Sequence, residues 1–166
     1  EVIAGREEAR LIYVGASHAL PVDGRKRLIV DIGGGSTECI IGQDHEPLRR
    51  ESLEFGCVQV TRDFFASGAI TRGALRLARI HCAERIAGEV RAFKRLGWSY
   101  AVGTSGSAKA LAQIAFAHTG SAELTAASLK RIESRLLDAG SLDKLQLPGL
   151  KADRQAVIAG SLSVMQ

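Results

Sequence analysis

The stretch RLIVDIGGGSTECIIG, Arg27 to Gly42, leaves few folding options. Leu28–Ile32 is a nearly continuous apolar run, as expected of a strand buried on both faces. Glu38–Ile41 is a second strand, and only the glycine-rich bend separates the two. A third strand, Leu48–Phe55, follows the turn GQDHEP at 42–47. Three strands on such short connections predict an antiparallel meander.

Helical periodicity dominates the remainder. Helices are expected over residues 5–15, Val58–Phe65, Thr71–Leu96, Ser105–Ala117, Thr125–Ala139 and Ala152–Met165. In the longest, Leu75, Ala78, Cys82, Ile86, Val90 and Phe93 recur every three or four residues, between a Thr71 cap and a Gly97 stop. Ser99–Gly103 reads as a short buried strand that runs straight into a helix. The fold class is therefore α/β: a mixed sheet in which an antiparallel strand meander is followed by strand–helix units. The opening EVIAGREEARLIYVG reads as mid-helix, and the chain is expected to be cut from a longer protein.

Composition narrows the function classes. The chain has 166 residues, 46% of them hydrophobic and 24% charged, enough for a real core. Its net charge is +4, but the basic residues are scattered and not interleaved with aromatics, so no nucleic-acid partner is expected. No apolar run is long enough for a membrane span. Cys39, Cys57 and Cys82 form no CxxC, and His18, His45, His81 and His118 are isolated from one another, so no zinc site is expected. An odd cysteine count without a secretion signal fits a reducing cytoplasm.

The chemistry concentrates in two loops. Gly33, Gly34 and Gly35 can adopt positive φ and admit a ligand close to the backbone, and Ser36 and Thr37 add hydroxyls. The loop lacks the Gly-Lys-Ser/Thr ending of a Walker A motif. It is not a Rossmann fingerprint either, because the third glycine of GxGxxG falls on Glu38. It reads as a phosphate-binding hairpin. Asp31 closes a strand where an unpaired carboxylate is costly, and Glu38 lies just past the bend. Both acids beside phosphate oxygens would suit Mg²⁺ or another divalent cation. In the second loop, VGTSGSAKAL, Gly103 and Gly106 flank Thr104, Ser105 and Ser107 at a helix start, where an anion is favoured. Lys109 reads as solvated.

Together EVIAGREEARLIYVG, VDIGGGSTE, SLEFGCV, AVGTSGSAKAL and LPGL resemble the exopolyphosphatase / guanosine pentaphosphate phosphohydrolase family, of the actin, Hsp70 and sugar-kinase superfamily. The resemblance runs in order from Glu1 to about Gly160. It implies a ribonuclease-H-like (actin-like ATPase) domain and release of terminal phosphate from inorganic polyphosphate, or of the 5′ γ-phosphate from pppGpp, with a divalent metal. It implies Glu8 as catalytic base, with Glu7 facing solvent, and Asp31 and Glu38 at the metal. It implies phosphate contacts from Gly33 to Thr37 and from Gly103 to Ser107. By the same resemblance, residues 1–26 are a helix and linker carrying the catalytic glutamate. Residues 27–166 are then a second ribonuclease-H-like domain truncated at its C-terminus, the first domain being absent. A homodimer is expected of the full-length form. The 166 residues alone are expected to be inactive and to expose a sticky patch around Val157, Ile158, Leu162 and Val164. Two alternatives stay open: an ATP-dependent kinase or ATPase of the same superfamily, and a non-catalytic nucleotide-sensing actin-like module.

Overall fold

The computed structural model describes residues 4–166. The reading of the opening as mid-helix falls partly on residues 1–3, outside the described residues; the helix itself, α1, spans Gly5–Ser17. Strands β1 (Lys26–Ile32), β2 (Thr37–Gln43) and β3 (Glu46–Leu53) form the expected meander. The β2–β3 turn is tighter than expected, because Asp44 takes a left-handed conformation (φ 51°) that closes it in two residues. Pro47 then sits in β3 beside a register shift at Ile41/Gly42. β3 is an edge strand, so the missing amide is tolerated there.

After β3 come α2 (Cys57–Phe64) and α3 (Arg72–Leu96), then β4 (Tyr100–Gly103), which pairs parallel to β1. The sheet order is β3-β2-β1-β4. β4 was expected to be buried; it lies at the sheet's other edge and alternates between half-buried and exposed. The remaining helices are α4 (Gly106–Thr119), α5 (Ala126–Ala139), α6 (Ala152–Gln155) and α7 (Ile158–Met165). Thr71, Ser105 and Thr125 cap α3, α4 and α5 by accepting from the amides of Ala74, Ala108 and Ser128.

The expected single helix over 152–165 is two. The chain turns at Val157 (φ −113°, ψ 2°) because the halves have different neighbours. α6 buries nothing, whereas residues 158–163 are all buried. Gly160 lies against the Cys57 carbonyl and Thr61 so closely that a Cβ would not fit. Ile158 and Leu162 are wholly buried, so they are not the bare patch expected of them.

The two sheet faces are covered differently. On one, Ile29 and Ile40 pack under Ala9 and Tyr13 of α1. On the other, Cys39 and Ile41 meet Phe93 of α3. That second face is incompletely filled: a cavity of about 410 Å³ lies among Leu28, Val30, Cys39, Ile86, Val90 and Phe93. This is why β1 is not buried on both faces as its apolar run suggests. The largest core cluster lies beyond the sheet, where Phe55, Leu75, Leu111, Ile132, Leu136 and Ile158 join the helices.

Candidate active site

Asp31 and Glu38 are register partners across β1 and β2, so their side chains leave the same face, the one α1 covers. The next residue in the row is Ser52 of β3, opposite Glu38. Its hydroxyl donates to Glu38 Oε1 at 2.8 Å. Glu38 is only 1% exposed. Burial pushes its carboxyl above the ordinary range; the Ser52 and Ser36 hydroxyls pull it back, and the charges of Glu8 and Asp31 push it further up. Asp31 and Glu38 are thus neighbours, and Glu8 is near enough for its charge to be felt at Glu38.

Glu7 and Glu8 divide as their geometry dictates. Arg10 grips Glu7 at 2.8 Å and holds its carboxyl low. Glu8 forms no salt bridge among the described residues, is exposed, and acts on Glu38.

The triple-glycine bend differs from expectation in its backbone. None of Gly33, Gly34 and Gly35 has positive φ. Close approach is what at least two of them serve. The Gly33 carbonyl accepts from Cys57 N–H at 2.9 Å, and the Gly34 carbonyl from Val58 and Gln59 at 3.0 and 3.1 Å. The bend thus fills the first amides of α2. Gly56 makes the approach possible, since a Cβ there would lie 2.5 Å from the Gly33 oxygen. Gly35 faces open space. Among the described residues, the amides of Gly34, Gly35 and Ser36 meet no acceptor. Thr37 is buried, and its hydroxyl donates to the Phe55 carbonyl at 2.7 Å.

The second loop meets the first. Thr104 donates its amide to the Val30 carbonyl at 3.1 Å and its hydroxyl to Asp31 Oδ2 at 2.6 Å. Ser107 donates to the Ile32 carbonyl at 3.0 Å, and Ser105 caps α4. A Cβ on Gly103 would strike Ala108. At Gly106 the space for a Cβ is taken by the Arg154 guanidinium, whose carbon would lie 2.8 Å away. All twelve residues proposed from the sequence beyond Glu8 thus lie on two adjoining loops and strand ends, with Lys109 exposed outside them.

Three contributors escaped sequence reasoning. Ser52 and Gly56 lie in SLEFGCV, but no spacing pairs them with the glycine bend. Arg154, some fifty residues beyond its loop, left no local signal.

The sequence profile of the Ppx/GppA phosphatase family matches residues 1–166. The chain belongs to this family. Among its relatives, a guanosine-5′-triphosphate,3′-diphosphate pyrophosphatase of Aliivibrio fischeri is 38% identical over 164 residues, which cover 99% of this chain and 33% of that protein. A putative exopolyphosphatase of Haemophilus influenzae is 36% identical over 165 residues, covering 99% and 51%. The chain thus spans from a third to half the length of these curated relatives. An exopolyphosphatase structure from Cytophaga hutchinsonii superposes with a TM-score of 0.81 at 23% identity, over 99% of this chain and 56% of that one. The type II variant of the Aquifex aeolicus Ppx/GppA phosphatase gives 0.79 at 20%, over 99% and 56%. These likenesses agree with the Ppx/GppA fold read from the sequence, an actin-like α/β domain with a mixed sheet. Among the described residues no helix is long and apolar enough to cross a membrane.

Proposed function

We propose that the whole protein hydrolyses a phosphoanhydride, releasing the terminal phosphate of inorganic polyphosphate or the 5′ γ-phosphate of pppGpp, and that this chain carries one wall of the site. The observation that carries the reading is the meeting of two glycine-hydroxyl loops at Asp31, through the Thr104 hydroxyl, with Glu38 beside it and the charge of Glu8 felt there. The names of the Aliivibrio and Haemophilus relatives support the substrate class.

Phosphoryl transfer asks for an in-line water, a group to orient it, and neutralisation of oxygen charge. Glu8, exposed and without an ion pair among the described residues, would orient a water and take its proton. The amides of Gly34, Gly35 and Ser36 and the start of α4 offer donors to phosphate oxygens, and Arg154 brings a cation to Gly106. Thr37, Thr104, Ser105 and Ser107 hold the loops from within, their hydroxyls bonded inside the fold.

A divalent cation suits this corner. Glu38 is buried among acids that repel it, and the described residues contain no cluster of three or more His, Cys, Asp or Glu that would cage an ion unaided. Asp31 and Glu38, with waters and phosphate oxygens completing the shell, are what Mg²⁺ accepts. Bound there, it would neutralise charge building on the phosphate oxygens. Three buried free cysteines suit a cytoplasmic setting.

The test is phosphate release by the whole protein from polyphosphate and from pppGpp, with Mg²⁺ and with chelator. Turnover of either substrate that Glu8→Gln abolishes supports the reading; a wild-type protein inert towards both sinks it. The 166 residues alone are expected to release none.

A further inference from the structure

Ser52 stands at a junction that neither the motif pattern nor the phosphate loops explain. Its hydroxyl donates to Glu38 Oε1 at 2.8 Å from the opposing strand position. On its other side it meets the start of α1: a Cβ built on Gly5 would lie 2.6 Å from Ser52 Oγ and 2.7 Å from Ser52 Cβ. Gly5 is therefore in direct backbone contact with Ser52. Gly5 and Glu8 are three residues apart in one helix and so lie on neighbouring positions of its surface.

We propose that Ser52 is a positioning residue that sets the separation of Glu8 and Glu38, one side chain bearing on both carboxylate-carrying elements. This rests on the phosphohydrolase reading above. The other ties at this end of α1 are exposed: the Arg6–Glu51 ion pair at 3.1 Å and the Arg50 donation to the Arg6 carbonyl at 3.2 Å. Exposed ion pairs fix position poorly. The buried anchors, Ala9 on Ile29 and Ile40 and Tyr13 against Gly42, lie one and two turns further along. The contact of Gly5 with Ser52 is the one that fixes the height of the first turn over the sheet. A base must be held within a fraction of an ångström, so that height bears on rate more than on affinity.

The proposal is tested in the whole protein by a double-mutant cycle of Gly5→Ala and Ser52→Gly, read as phosphate release from polyphosphate. Gly5→Ala in the Ser52 background is expected to lower kcat by about 10- to 100-fold, with KM held within about twofold. The added Cβ meets Ser52 Cβ, so the thermal midpoint is also expected to fall, and kcat is therefore read well below that midpoint, where the protein stays folded. Ser52→Gly removes both clashing atoms, so in that background Gly5→Ala is expected to cost nothing further. A Gly5→Ala penalty equal in both backgrounds, or absent from both, overturns the positioning role while leaving the enzyme reading intact. A wild-type protein that releases no phosphate overturns both.

Discussion

Thr104 gives its hydroxyl to Asp31 at 2.6 Å, and this bond joins the end of β1 to the entrance of α4. The acceptor is a carboxylate, so the bond belongs to the stronger, charge-assisted class.

Thr104→Val should therefore cost about 1.5–3 kcal/mol in urea denaturation. It should also weaken phosphate binding, because the second loop loses its tie to the first. Thr104→Ser keeps the donor and should recover most of both. Loss in Thr104→Ser with none in Thr104→Val would show that the methyl, not the hydroxyl, matters.

Gly56→Ala and Gly35→Ala should behave oppositely. The first forces a Cβ to within 2.5 Å of Gly33 and Gly34 backbone atoms. It should destabilise by about 1–3 kcal/mol, measured by chemical denaturation. The second adds a methyl to open space at a backbone conformation outside the left-handed region. It should change stability by no more than about 0.5 kcal/mol.

Glu8→Gln and Glu7→Gln separate base from bystander. In the whole protein, loss of a general base should lower kcat by about 10²–10⁴-fold with little change in KM. Glu7 is paired with Arg10 on the surface, so its loss should leave turnover nearly unchanged. Steady-state phosphate release on both variants decides this.

Alkaline pH should unfold the protein through its cysteines. Burial pushes the Cys39 thiol up to about 12, with the Glu38 charge adding to it, and pushes the Cys82 thiol up to about 11. Both folded values exceed the unfolded 9.0. Their contribution to stability is thus complete below pH 9 and is lost as pH rises through 11 to 12. Denaturation midpoints followed from pH 8 upwards should fall more steeply in the wild type than in Cys39→Ala. Thiol reagents at pH 8 should modify these residues only after unfolding.

The elements best foreseen from sequence were those with local signals. The long α3 carried its own cap, stop and apolar stripe, and the meander followed from three apolar runs on short turns. Long-range contacts left no such trace. The break at Val157 comes from the seating of Gly160 against α2, a hundred residues earlier in the chain. The glycine bend was located correctly, but its glycines do not take positive φ, and the close packing of Gly33 on the Ser36 carbonyl and of Gly34 on Val58 became visible only in the fold. Asp31 and Glu38 were legible as neighbours since a hairpin fixes their pairing. Arg154 could be found only once α6 and α4 were in place.

The capping of α2 by Gly33 and Gly34 makes the bend a lever. Its carbonyls hold the first turn of α2, and α2 in turn abuts Gly160 of α7 through the Cys57 carbonyl. Any ligand that tugs the bend outward must strip those amides or drag two helices with it. Occupancy at the carboxylate corner is thereby geared mechanically to the packing of the helical layer, some distance from where the anion would rest.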